Sequence, residues 1–175
     1  MRRLAIVIAT FLATAPALAL DLPTRKAGLW ELKMIFEGRN VPPTIMKHCT
    51  DAATDKLMNA NFGGAAQEAC PKQDMKTSGG VITIDAVCKF GETTTSSHSV
   101  VTGSFDSAYK IDTTSTRAGG PPLPGMAPGV PSHMTIEAKW LGACAAGQKP
   151  GDVIMANGMV MNVLSLPKPG APPQR

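Results

Sequence analysis

Aromatic residues are scarce in this chain, 5% of 175 positions, and charged residues make up only 17%. The first shortage removes the stacking platforms that single-stranded nucleic-acid binders need. The second, with charges alternating in sign, removes the basic stripe that follows a phosphate backbone. There is no glycine-rich phosphate loop, no G-x-S-x-G elbow and no H-E-x-x-H, so none of the chemistries carried by those motifs has a foothold. Cysteines at C-x-x-C spacing and histidines at H-x-x-x-H spacing are also missing, which argues against zinc. Beyond the first twenty residues no stretch approaches the ~18 to 20 apolar residues of a membrane span.

What the chain does have is an export signal. Met1-Arg2-Arg3 leads into the apolar run "LAIVIATFLATAPALAL", and Ala17-Leu18-Ala19 supplies the small residues of a cleavage site. Residues 1–19 therefore read as a signal peptide, 20–166 as one domain and 167–175, "PKPGAPPQR", as a disordered tail. The expected location is the periplasm of a bacterium, and the expected mature protein is a soluble monomer. Removing the signal leaves 15 Lys+Arg (17 minus Arg2 and Arg3) against 13 Asp+Glu, too mild a charge to imply a nucleic-acid partner.

In an oxidising compartment, four cysteines, Cys49, Cys70, Cys88 and Cys144, are most simply two disulfides. A thiol nucleophile at Cys49 has His48 beside it, but neighbours on a strand point to opposite faces. Three pairings exist. Cys88 continues the inward parity of Ile82, Ile84 and Ala86, and Cys144 that of Ile136, Ala138 and Trp140, which favours Cys88 with Cys144 and leaves Cys49 with Cys70. The competing pairing, Cys70 with Cys88, has their near-symmetric spacing about Gly79 in its favour.

Strand signals dominate the rest. "WELKMIFE" alternates Trp30, Leu32, Met34 and Phe36 with charged neighbours, and "TIMKHC" returns to Cys49. Thr50 or Asp51 is placed to cap a short helix reaching Asn59, the one helix in the chain. Hairpins follow around Ser78-Gly79-Gly80 and at Asp106-Ser107. Nine of the thirteen residues in 119–131, "GGPPLPGMAPGVP", are Gly or Pro, so neither ladder nor helix persists there and the segment reads as an exposed loop. "SHMTIEAKWLGAC" restores strict alternation as a central strand, and Asn157-Gly158 suits a type I′ turn. The expected fold is all-β and mainly antiparallel: six to eight strands in one curled sheet, barrel or sandwich.

"KAGLWEL", the four cysteines with Cys49 opening a helical insertion, the Cys88-Lys89 strand end, "SFDSAYKID" and the closing "WLGAC" together resemble a family of exported Gram-negative proteins, the domain of unknown function family DUF3617. The resemblance spans residues 26 to 144. It implies a periplasmic, disulfide-bonded β domain and brings no catalytic residues with it.

Three function classes remain for the residues to divide. A hydrolase would need a site such as His98 with an aspartate and a serine, yet alternation turns His98 away from Ser97 and Ser99, and Glu31, Glu37, Asp85, Asp112 and Glu137 fall on outward positions. Soft ligands for Cu(I) are present as Met46 with His48, His133 with Met134, and Met155, Met159 and Met161, without a compact cluster. An apolar ligand held inside a barrel, in the cavity that a closed sheet of about eight strands can leave, would be lined by Trp30, Phe36, Ile84, Tyr109, Ile136 and Trp140. The expectation is a non-enzymatic binding or envelope-maintenance protein without cofactor or metal, holding a small apolar ligand or docking a protein partner through its Pro/Gly loop.

Overall fold

The computed structural model describes residues 22–58, 69–121 and 127–166. The signal segment 1–19, the tail 167–175 and the centre of the Pro/Gly loop lie outside the described residues. The structure is one antiparallel sheet of nine strands in the order β3-β4-β5-β6-β7-β1-β2-β8-β9. These are β1 (Gly28–Phe36), β2 (Thr44–Thr50), β3 (Lys72–Ser78), β4 (Val81–Phe90), β5 (Thr93–Ser104), β6 (Ala108–Ala118), β7 (Ser132–Gly142), β8 (Asp152–Ile154) and β9 (Val160–Asn162). The helix expected in the Cys49–Cys70 insertion is present, with residues 52–58 helical (α1).

The barrel reading is corrected. The sheet stays open, ending at β3 on one side and β9 on the other, with no pairing between them. Local patterning specifies which face a side chain takes, but says nothing about whether the first and last strands meet. The β3 edge alternates exposed Lys72, Asp74 and Lys76, a common guard against unwanted strand pairing. The β9 edge is only three residues long and leaves Met159, Val160 and Met161 exposed around it.

Register fixes two unlike faces. One carries Glu31, Lys33, Lys47, Lys110, Asp112 and Glu137, with Lys33–Glu137 at 3.2 Å, Lys47–Glu31 at 3.9 Å and Lys110–Asp112 at 2.9 Å. Such exposed pairs each contribute about 0–1 kcal/mol, so they serve register more than stability. The other face is apolar. There Trp30, Leu32, Met34 and Phe36 of β1 lie opposite Trp140, Ala138, Ile136 and Met134 of β7, and beyond these come Tyr109 and Ile111, then Val101, then Ile82 and Ile84. The buried core gathers on this face around Trp30, Ile82, Val101, Tyr109 and Ala138.

Turn chemistry follows the sequence in one hairpin and departs from it in another. Gly79 and Gly80 both have positive φ, +56° and +79°, the two-residue turn that the Gly-Gly pair suits. At Asn157-Gly158 only Gly158 has positive φ, +82°. The Gly158 amide donates to the Met155 carbonyl and the Met155 amide to the Met159 carbonyl. That is a three-residue loop closed by a left-handed glycine rather than a type I′ turn.

Both disulfides form, but not in the pairing that parity favours: Cys49 bonds Cys144 and Cys70 bonds Cys88. The cause is a β-bulge. Trp30 lies opposite Trp140, yet Leu29 lies opposite Gly142, so the register of β7 against β1 shifts by one residue at Leu141. Past that point the inward count no longer holds, and Cys144 leaves the apolar face to meet Cys49, which points away from it. Cys88 keeps its apolar-face parity and receives Cys70 at the end of the insertion.

The two bridges close loops of 95 and 18 residues. Restriction of the unfolded chain gives about 5 kcal/mol for the longer loop and about 3 kcal/mol for the shorter. Replacing Cys49 and Cys144 together by alanine is therefore expected to lower the unfolding free energy more than replacing Cys70 and Cys88. Urea titration of the two variants checks the order, and a non-reducing peptide map checks the pairing itself.

Candidate functional site

The apolar face is sealed at one end by a short arm, residues 22–27, that precedes β1. The Lys26 amide donates to the Phe105 carbonyl at 2.8 Å, and the indole N–H groups of Trp30 and Trp140 donate to the carbonyls of Lys26 and Ala27 at 2.8 and 3.1 Å. Two tryptophans therefore hold the arm down by hydrogen bonds, Trp30 with its ring fully buried and Trp140 with its ring half-buried. Tyr109 links this end into an aromatic stack, 4.6 Å from Phe105 and 5.6 Å from Trp30 between ring centroids. Burial pushes the Tyr109 hydroxyl pKa upward, with the nearby Arg25 charge opposing the rise and the Asp55 charge adding to it.

Arg25 is the centre of the seal. Its backbone amide donates to Asp55 Oδ2 at 2.8 Å and its Nε to Asp55 Oδ1 at 2.7 Å, with both side chains buried. Its Nη1 faces His48 Nδ1 at 3.4 Å, its Nη2 donates to Met58 Sδ at 3.3 Å, and its plane lies 5.9 Å from the Trp30 ring. Asp55 and Met58 come from α1, whose start is organised by Asp51. The Asp51 carboxylate accepts from the Thr54 amide at 2.8 Å while Thr54 Oγ1 accepts from the Asp51 amide at 3.0 Å, a reciprocal cap. The Thr54 amide bond is also the chief reason that the Asp51 carboxyl pKa is lowered.

A guanidinium only donates, so the nitrogen of His48 that faces it must accept, and the neutral ring carries its proton on Nε2. That N–H points at Met46 Sδ, 3.3 Å away. The pair that sequence analysis named for Cu(I) is thus adjacent, but Nε2 holds a proton where a metal would need a lone pair. His133 and Met134 turn to opposite faces, His133 bonding Thr114 at 3.1 Å. Met155 packs against the Met58, Val153 and Val163 cluster, and Met159 and Met161 are exposed. Among the described residues no group of three or more His, Cys, Asp or Glu side chains is placed to hold a metal.

His98 finds an aspartate on the charged face: its Nδ1 lies 2.7 Å from Asp85 Oδ1, with both side chains more than half exposed. A shallow cleft of about 650 Å3 beside it is lined by Asp74, Asp85, Ser96, His98, Thr114 and Thr116. Ser97 and Ser99 face away, as the alternation requires. All four cysteines are in disulfides, so none serves as a nucleophile.

The six residues named as ligand-lining share the apolar face. Trp30 and Tyr109 are fully consumed by the core, and Ile84 and Trp140 pack against its margin. Phe36 and Ile136, with Leu32, Met34, Ile111 and Met134 beside them, are only half-buried. Beyond Phe36 and Met134 the face turns polar. Ser99 bonds Thr113 and Ser115 bonds Ser132, each at 2.9 Å, and the next inward position on β6 is Arg117. Sequence reading passed over Arg25, Asp55 and Arg117. For Arg117 a signal was present: it continues the inward parity of Tyr109, Ile111, Thr113 and Ser115.

Two outcomes follow from the sealed end. Burial first, and the Arg25 charge second, lower the His48 pKa from 6.5 to about 4. The unfolded chain then takes up a proton that the native protein refuses, so stability is full above pH 6.5 and declines as pH falls toward 4, where the native ring also protonates. The difference is about 3 kcal/mol by linkage. Denaturant melts of the native protein and of His48→Gln across this window should diverge, with the variant flatter. Asp55→Ala strands a buried guanidinium and is expected to cost about 3–5 kcal/mol, read by the same melts.

No curated protein and no solved structure matches the chain. A family model does: the one described as "Protein of unknown function (DUF3617)" matches residues 25–144. The match begins at Arg25 and ends at Cys144, so it takes in the sealing arginine, both disulfides and β1 to β7, and leaves β8 and β9 outside. It covers well over half of the sequence, and the chain belongs to the DUF3617 family.

Proposed function

We propose that this chain is a non-enzymatic, exported binding protein that holds a small apolar ligand against the apolar face of its sheet. The observation that carries this reading is the half-buried band of Leu32, Met34, Phe36, Ile111, Met134 and Ile136. Leu32 and Ile111 pack against the margin of the core on this face, and Met34, Phe36, Met134 and Ile136 continue the apolar surface beyond it. A contiguous apolar surface left partly open between polar surroundings is the usual mark of a ligand or partner site. Export to a periplasm is supported by the bonding of all four cysteines, and no helix among the described residues is long and apolar enough to cross a membrane.

The rival reading, hydrolysis, has the Asp85–His98 pair in its favour. It lacks a hydroxyl bonded to His98 among the described contacts, and the pair is open to water rather than enclosed. A ligand-binding site needs neither.

Trp30 and Trp140 share the apolar face, so occupancy should register in their emission. Adding an apolar fluorescent probe to the purified protein is expected to give saturable energy transfer from tryptophan. Met34→Gln and Ile136→Gln, which place amides in the half-buried band, should weaken it by about tenfold each. Intact-mass measurement under native conditions on protein recovered from its own host should show a retained apolar molecule. An unsaturable response that neither substitution alters would remove the reading.

A further inference from the structure

The polar end of the apolar face holds a charge that no described residue neutralises. Arg117 is 5% exposed, and its Nε and Nη1 are buried without a hydrogen-bond partner. Its Nη2 donates to the Pro121 carbonyl, and Gly120 leaves room beside that nitrogen where a Cβ would lie 3.0 Å from it. The ion pairs among the described residues do not include it. An unpaired buried cation is among the least favourable arrangements a fold can keep, and one with two idle donors is ready for an anion.

Its surroundings say what kind of anion. Along the β6 side of the face the order is Tyr109, Ile111, Thr113, Ser115, Arg117, which runs from aromatic to aliphatic to hydroxyl to charge. The neighbouring strands change in step. Val101 and Ile136 flank Ile111, Ser99 and Met134 flank Thr113, Ser97 and Ser132 flank Ser115, and Thr95 lies beside Arg117. Eight residues of extended strand separate Tyr109 from Arg117, about 27 Å. Among the described residues the tryptophan-sealed end has no buried unpaired charge, since Arg25 is engaged by Asp55, His48 and Met58 and Lys26 is exposed, with its ammonium 3.8 Å from the Trp140 ring centroid. An amphiphile fits this gradient in one direction only.

We infer that the ligand is a single-chain amphiphile with an acidic head group, lying along β6 with its tail toward Ile111 and Ile136 and its carboxylate paired with the unneutralised charge of Arg117. This rests on the apolar-ligand reading and adds to it the head-group chemistry and the orientation. The two idle donors lie on opposite sides of the guanidinium and share no fork, since each fork includes the Nη2 already used by Pro121, so the head group takes one charge-assisted hydrogen bond, whose charge an alcohol or an ester cannot match.

The test compares palmitate with hexadecanol, equal in tail and different in charge, by displacement of an apolar fluorescent probe from the full-length mature protein. Palmitate is expected to bind at least about tenfold more tightly. Arg117→Gln should remove that preference while leaving hexadecanol affinity unchanged, and Arg117→Lys, which keeps the charge on a differently shaped head, should retain part of it. If the native protein binds both equally, the head-group inference is overturned and the apolar-ligand reading stands. If it binds neither, both are overturned. A preference for palmitate that survives in Arg117→Gln would also overturn the assignment, because the charge would then be read elsewhere.

Discussion

A buried carboxylate meeting a buried guanidinium, Asp55 with Arg25, is the contact on which the rest of this structure leans. Arg25 belongs to the arm before β1, Asp55 to the helix of the insertion, and the same guanidinium reaches His48 on β2. Three segments distant in sequence are thus held by one side chain. Taking two charges out of water is costly, and an apolar pair of the same size would do as well for stability alone. What the ion pair adds is uniqueness of arrangement: two directed bonds from one arginine to one carboxylate leave α1 a single seat over Trp30 and Tyr109.

The insertion that carries α1 is tied down at both ends. Cys49, at its start on β2, is bonded to Cys144 beyond β7, and Cys70, at its end, to Cys88 near the end of β4. In the sheet β2 and β4 stand five strand positions apart, about 24 Å along the ladder, so the two anchor points of the insertion lie on different flanks of the sheet. An open sheet has one face to protect without help from closure. Among the described residues, the covalent ties at Cys49 and Cys70 fix both ends of the insertion to the sheet that closure does not secure.

Much of this was legible in the chain itself. Alternation in β1, β5, β6 and β7 gave the faces, and the Gly-Gly pair gave a turn, because both depend on neighbours within a few residues. The disulfide pairing was misread because parity counting assumes an unbroken ladder, and one extra residue at Leu141 opposite the Leu29–Trp30 step turns Cys144 around. Of the three forms that the pattern allows, curled sheet, barrel and sandwich, closure into a barrel does not occur, because the edges are set by how the strands are ordered, which no local pattern encodes. The charged residues that matter most, Arg25, Asp55 and Arg117, look in the sequence like any others. Only a tertiary partner, or the lack of one, separates them from the surface ions of the opposite face, although the inward place of Arg117 in "AYKIDTTSTRA" was there to be noticed.

The unlike margins of the sheet carry a consequence for how molecules of this protein meet. Growth of a continuous ribbon requires two receptive borders on every unit, one to accept and one to offer. Here the β3 border repels through its lysines and aspartate, and only the short β9 border with Met159 and Met161 is receptive. Among the described residues, then, the two borders are not equally open to a further strand, and a sheet that never closes on itself offers ladder partners on one side more than on the other.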